Sequence, residues 1–402
     1  MTVTVPAERI AVDGVSGIRQ TIAPVLATLA ATAHAREARR DYAFGEVAEL
    51  ARAGIGLTEI PVTEGGAGGT VRDAVELVSA ISRADSSVAQ ALRPTFLAAH
   101  QVAERPDGPL RAVTLDRLRT GALFVGTGNE RNGGASGSVS TTARRHADGY
   151  LVTGRKFYST GGLYASYFST QAVTEDGTVI RFTIPVDRPG LQRLDDFDAV
   201  GQRLTQSGTT VLDEVWVSDE EVVIVAEQTP DNPWTGSFAQ LYLAAVQAGV
   251  AARALDDAVS FVREKARPIK HSTAATSAED PYVRITVGEI AARAQAAEAV
   301  VVQAAEALQE LRGLTGSAAR EAGARAAVRV AGAGQIAIES ALRAAELLFD
   351  VGGGSITDRS LGFDRHWRNA RTAANHNPRQ WKAAVAGAYH LTGEEPPTTG
   401  LF

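Results

Sequence analysis

The 402-residue chain contains no cysteine. That excludes disulfides, thiolate-bound metals and a cysteine nucleophile, and it suits a reducing cytoplasm. Long apolar runs are also missing. The best stretch, "LYLAAVQAGVAA" at 241–252, is interrupted by Gln247 and falls short of the roughly 18–20 apolar residues of a membrane span. Positive charge is not in excess: 40 Lys and Arg against 46 Asp and Glu leave a net charge of −6, so there is no basic footprint for nucleic acid. The seven histidines are scattered and no HExxH occurs, which argues against a zinc site. No GxSxG elbow of an acyl hydrolase is present. "GYLVTGRK" at 149–156 misses the phosphate-loop pattern because Arg155 intervenes before the lysine, and "GTGNER" at 126–131 lacks the third glycine of a dinucleotide fingerprint. The opening residues "MTVTVPAERIAVDG" lack the charged-then-apolar order of a signal peptide.

What is present falls into three zones. In the first, roughly 15–120, Ile18, Ile22, Val25 and Leu29 recur at helical spacing, as do Val71, Val75 and Val78. The Gly-rich loop "IPVTEGGAGGT" lies between these stripes. The second zone, roughly 122–228, changes period. "LFVGTG", "YLVTGRKFYS", "TVIRFTIPV" and "TVLDEVWVS" read as strands, and "ADG" and "EDG" as hairpin turns. The third, roughly 235–350, carries long helical stripes: Leu255, Val259, Val262; Val283, Val287, Ile290, Ala294, Ala297, Val301, Leu308; and Ile338, Leu342, Ala345, Phe349. Such Ala-rich helices pack as a bundle.

"IPVTEGGAGGT", "GNERNGGASGSVSTTARRHADGYLVTGRKFYSTGG", "GQRLTQSGTTVLDEVWVS" and "LFDVGGGSITDRSLGFDRHWRNAR" occur in the order and spacing of the acyl-CoA dehydrogenase superfamily, which the chain resembles from about residue 40 to 395. The resemblance implies an α+β, mostly helical fold: an N-terminal helical domain (1–121), a central antiparallel β-barrel (122–230) and a C-terminal four-helix bundle with an interface tail (231–402). "GRKFYSTGG", "GQRLTQSGT", "FVREKARP" and "DRHWRNARTAANHNP" resemble its flavin-dependent monooxygenase branch. That branch takes reduced FMN from a separate flavin reductase and, with O2, oxygenates a small substrate through a C4a-(hydro)peroxyflavin. An organosulfur substrate, a homotetramer, and FAD in place of FMN are further implications of the likeness, with no role for a membrane or nucleic acid.

The residues themselves discriminate between two chemistries. A dehydrogenase needs a carboxylate base aimed at the flavin. In the superfamily the base follows the Arg segment or begins the first bundle helix. Here 365–393 holds no Asp or Glu, and the helix start offers Ala239. An oxygenase instead needs water excluded and hydrogen bonds to activated oxygen, tasks that hydroxyls, an Asn and a His can perform. N-hydroxylation, aromatic hydroxylation, acyl-CoA dehydrogenation and a catalytically silent flavin protein stay open as alternatives.

On this likeness Ser159 and Thr160 face a flavin edge with Tyr158 beside them, and Gly161 and Gly162 give clearance. As an isolated strand they would be solvated hydroxyls. Asn129 is either a turn former or a flavin neighbour. Glu130 and Arg131 read as a solvent pair, and Lys156 as an exterior charge or one that neutralises an acid locally. His376, in "ANHNP", has the pKa range of a proton donor, so Ser159, His376 and Asn129 are the catalytic candidates. Arg267 would ligate the flavin phosphate. Gly352, Gly353 and Gly354 would admit a neighbouring subunit's flavin or end a helix, and Arg368 fits flavin contact or an interface. His366 reads as a packing residue. Relatives often carry a His where this chain has Thr95, and His100 lies about 140° further around that helix.

Overall fold

The computed structural model describes residues 8–105, 108–131, 139–225 and 232–398. Part of the Gly-rich segment after Arg131, residues 132–138, lies outside them. Five helices come first: α1 (Gly14–Arg39), α2 (Phe44–Arg52), α3 (Val71–Ala84), α4 (Ser86–Glu104) and α5 (Pro109–Arg119). Their starts follow local chemistry. Thr70 and Asp73 form a capping box on α3, and the Asp85 carboxylate accepts from Ser87 and Val88 to begin α4. Pro94 lies inside the continuous α4 and, having no N–H, leaves the carbonyl four residues back without its helical bond.

The strands follow: β1 (Phe124–Gly126), β2 (Thr142–His146), β3 (Gly149–Lys156), β4 (Tyr167–Thr174), β5 (Val179–Pro185), β6 (Leu191–Arg193), β7 (Thr210–Ser218) and β8 (Val222–Ile224). They form one sheet in the order β6-β7-β3-β2-β4-β5-β8, with β1 also on β4. This corrects the expected antiparallel barrel in two ways. The end strands β6 and β8 do not pair among the described residues, so the sheet is open. It is also mixed, since β1 and β2 both run parallel to β4. The alternation in β4 and β5 buries Phe168, Ala172, Ile180, Phe182 and Ile184 on one face. The other face carries Ser169, Arg181 and Thr183, with Ser169 opposite Thr183.

The last helices are α6 (Ser237–Glu264), α7 (Pro281–Gln309), α8 (Gly316–Leu347), α9 (Asp364–Ala374) and α10 (Arg379–Thr392). Among the described residues α6 is long and apolar enough to cross a membrane by length and composition, beyond what its interrupted sequence suggested. It is instead the central core helix: most of it is buried, and Gln247 donates to the Ala370 carbonyl at 2.8 Å. One apolar cluster joins Ile18, Val78 and Phe96 from the first helices to Phe238, Val301 and Val330 from the last. The helices before and after the sheet therefore share a core.

Gly161 docks the sheet onto α4. It has φ +80°, and a Cβ there would lie 2.4 Å from the Ala91 carbonyl oxygen. The clearance expected for a flavin is thus used by the protein's own helix.

Candidate active site

Where α4, the open face of the sheet and α9 converge, a cavity of about 700 Å³ opens. That is a size typical of small-molecule and cofactor sites. Leu97, Phe124, Phe182 and Phe197 form apolar wall, while Gln90, Thr127, Ser169, Gln202 and Asn377 are polar lining. Four of the candidates read from sequence meet here: Asn129, Tyr158, Thr160 and His376.

The hydroxyl run divides at Tyr158, whose backbone is left-handed at φ +58°. Tyr158 and Thr160 line the cavity, and Ser159 does not. Ser159 is 2% exposed and its Oγ accepts from the Thr210 hydroxyl at 2.8 Å. The assignment of Ser159 to a flavin edge or oxygen is corrected accordingly: its hydroxyl is spent inside the sheet domain. Ser159→Ala is expected to cost about 1–3 kcal/mol by stranding the Thr210 hydroxyl, with FMN affinity unchanged. Urea denaturation alongside a fluorescence titration of FMN checks both halves.

Thr160 Oγ1 lies 3.0 Å from Ser207 Oγ, which lies 2.7 Å from Thr205 Oγ1, giving a line of three cavity hydroxyls. Thr205 and Ser207 lie in the stretch "GQRLTQSGT", none of whose residues was expected at the site. The available signal was its density of small polar side chains, and Gln202 and Gln206 both adopt positive φ there.

His376 is not a proton donor in the sense expected. Its ring is exposed to the cavity; desolvation in that pocket, then the charges of Arg93 and Lys382, hold its pKa below the usual imidazole range. Arg93 Nη1 lies 3.2 Å from His376 Nε2. A guanidinium only donates, so Nε2 accepts and the proton of the neutral ring sits on Nδ1. His376 can give a hydrogen bond at neutral pH, not a proton.

Arg93 itself was missed. Burial lowers its pKa to about 10, and its Nη2 donates to the Ala239 carbonyl at 3.3 Å. Behind it Lys382 donates to Gln240 at 2.9 Å, and burial followed by Arg93's charge brings that amine to about 8. Arg105 and Arg181 line the same cavity, and burial lowers both. Among the described residues one acid lines it, Glu221, and Arg188 holds both its oxygens at 2.6 and 3.2 Å.

The other candidates lie elsewhere. Arg267 is exposed beyond the end of α6. Gly352 makes room for Phe261, whose ring would be 2.5 Å from a Cβ, while Gly353 and Gly354 face open space. Arg368 pairs with Glu37 and with Asp364 (2.8 Å) and donates to the Val200 carbonyl at 3.1 Å. None of these five lines the cavity. His366 is buried and 2.6 Å from Asp257, as a packing role requires. Thr95 accepts from the Phe124 N–H at 2.9 Å, and His100 stacks on Phe238 and meets Glu59 at 3.0 Å, so neither faces the site. Glu130 does not pair with Arg131: it bonds the fully buried Lys156, and Arg131 lies 4.3 Å over the Phe157 ring.

Comparison with known proteins identifies the fold. Residues 241–381 match the family model for the acyl-CoA dehydrogenase C-terminal domain. A dibenzothiophene monooxygenase of Mycolicibacterium goodii is 30% identical over 375 residues, covering 89% of this chain and 90% of the relative. The chain belongs to the flavin-dependent monooxygenase branch of the acyl-CoA dehydrogenase superfamily. Two solved members of that branch superpose closely. TdsC from Paenibacillus sp. A11-2, solved with FMN and indole, gives a TM-score of 0.87 at 25% identity over 96% of this chain and 99% of its own. Methanesulfinate monooxygenase MsuC from Pseudomonas fluorescens gives 0.86 at 26% identity over 95% and 99%.

The monooxygenase cavity of this chain suits FMN on its own atoms. Gln90 Oε1, Gln202 Oε1 and Asn377 Nδ2 are buried without a hydrogen-bond partner among the described residues. Unpaired buried polar atoms are costly, and a flat ring with carbonyl and N–H edges answers them between apolar walls.

Proposed function

We propose that this chain is the oxygenase component of a two-component flavin monooxygenase. It takes reduced FMN from a separate flavin reductase and oxygenates a small organosulfur compound with O2. Bound reduced FMN supplies the electrons that activate oxygen. The observation that carries the reading is the state of the cavity's acid: Glu221 is locked by Arg188 and unfit to abstract a proton. Dehydrogenation thus lacks a free base among the described residues of the cavity wall.

The protein's part is positioning and exclusion of water. In this reading Asn129, Tyr158 and Thr160, which line the cavity, hold the ring edge. The Thr160–Ser207–Thr205 hydroxyls offer hydrogen bonds beside it. His376, held between Arg93 and Asn377, stays neutral near pH 7 and shapes the wall beside the oxygen or substrate. Leu97, Phe124 and Phe197 keep the site dry. Arg267, Gly352, Gly353 and Gly354 lie away from their own chain's cavity, so flavin contact through them requires a second copy, as in a homotetramer. Three domains, 1–121, 122–230 and 231–402, are part of the same proposal.

The test mixes the protein anaerobically with reduced FMN and then adds oxygen. Reoxidation slowed into a distinct second phase, relative to free FMN, is expected. Single-phase reoxidation at the free rate, together with anaerobic bleaching of bound FAD by an acyl-CoA, would overturn the reading.

A further inference from the structure

Arg93 is a cation with no counter-charge among the described residues. Of the five N–H donors of a guanidinium, one meets His376 and one the Ala239 carbonyl. The rest have no partner among the described residues, and Nε is fully enclosed. Arg93 makes no ion pair among those residues, although its side chain forms part of the cavity wall. Its neighbours deepen the positive field: Lys382 lies close behind, and His376 accepts a hydrogen bond without bringing charge. The one acid on the wall belongs to Arg188. A cation half-enclosed in a pocket wall, with no counter-charge among the described residues, favours an anion there, so the site suits an anion that arrives with the ligand.

Two ligands could bring it, the FMN phosphate or the substrate. The cavity has a second basic site. Arg105 and Arg181 lie near enough for Arg181 to depress Arg105's pKa, after burial itself. Arg105 is twelve residues beyond Arg93 along α4, about 18 Å of helix. Arg93 instead sits with His376 and Asn377 at the α9 end.

Resting on the monooxygenase reading, we propose that the substrate is a small organic oxyanion anchored by Arg93, and that among organosulfur compounds it is a sulfinate. A sulfinate combines the required negative charge with a sulfur lone pair still open to oxidation. One atom of O2 forms a new bond to that sulfur and the O–O bond breaks. The other atom leaves as water with the two protons and two electrons of reduced FMN. Sulfinate, O2 and reduced FMN thus become sulfonate, oxidised FMN and water. Two fork-like N–H groups match two sulfinate oxygens and leave the lone pair free. Arg93 would then separate this chain's substrate from neutral thiophenes, which need no cation.

Calorimetric titration with oxidised FMN bound tests this, using benzenesulfinate and the neutral thioanisole as probes. Benzenesulfinate is expected to bind at least tenfold tighter. Arg93→Gln should abolish that preference, Arg93→Lys should keep part of it, and FMN affinity should hold in both. In turnover, Arg93→Gln should raise KM for the sulfinate more than it lowers kcat. Equal binding of the two probes by the unaltered protein overturns the proposal whether or not the variants fold. So does a tenfold loss of FMN affinity in Arg93→Gln, which would assign Arg93 to the cofactor. Biphasic flavin reoxidation needs no substrate, so its persistence alongside either result would leave the oxygenase reading standing while this one fell.

Discussion

Replacing Lys156 by Met is expected to lower stability by about 3–5 kcal/mol, because it leaves a buried carboxylate without its counter-charge. Lys156 and Glu130 have side-chain exposures of 0% and 4%. Glu130 also accepts from the Ser140 N–H at 2.8 Å and the Thr141 hydroxyl at 2.9 Å. Burial alone would raise the Glu130 pKa, but bonds from Lys156 and Ser140 and the lysine charge outweigh it and hold the pKa at about 2. Burial lowers the Lys156 pKa, with Glu130 opposing. The sign of the pH dependence follows. A depressed carboxylate stabilises the fold above its unfolded pKa of 4.5 and loses that contribution as pH falls toward 2. In Lys156→Met burial instead raises that carboxyl, so the gap should be widest at neutral pH and above, begin to narrow above pH 4.5 and keep narrowing below it. Adding Glu130→Gln to Lys156→Met should recover most of the loss, since it removes the stranded charge. Urea midpoints of the single and double variants across that pH range decide it. An undiminished gap at pH 3 would show that the lost stability was packing.

Asp85→Ala should rival it. Asp85 is the N-cap of α4 and the partner of Arg36 at 2.7 Å, with side-chain exposures of 6% and 5%. Alanine removes the cap, worth about 1 kcal/mol, and leaves Arg36 buried and unpaired, worth about 3–5 kcal/mol. Since α4 carries Gln90 and Arg93 into the cavity, ligand affinity should fall with stability. Asp85→Asn keeps a good cap but no charge, so it should lie between the two. Thermal unfolding and FMN titration of both variants give the order. Asn as damaging as Ala would show that the cap contributes little.

The helices were legible because their burial is periodic: Ile18, Ile22, Val25 and Leu29 are all buried on α1, as spaced. The strands were legible from β-branched runs and turns, but closure was not, since sheet order depends on pairings between distant segments. The site was half legible. Asn129, Tyr158, Thr160 and His376 come from motifs that stay local in the chain. Ser159 misled because period-two reasoning cannot foresee the left-handed residue before it. Arg93 stayed hidden because which face of α4 meets the cavity is set by docking through Gly161 and Thr95. Its sole sequence signal was a lone charge in the otherwise uncharged run "SSVAQALRPTFLAAH". The histidine's pKa was misjudged for the same reason, because its neighbours come from α4 and α10.

The core shared by the first and last helices also orders events in time. Ser82 on α3 bonds the Val246 carbonyl on α6, 164 residues later, whereas all strand pairings among the described residues fall between 124 and 224. During synthesis the sheet is complete before α6 emerges, while α3 waits with its apolar stripe uncovered. The middle of the chain can thus settle first and the leading helices last. A nascent chain stalled before α6 would present that stripe to chaperones.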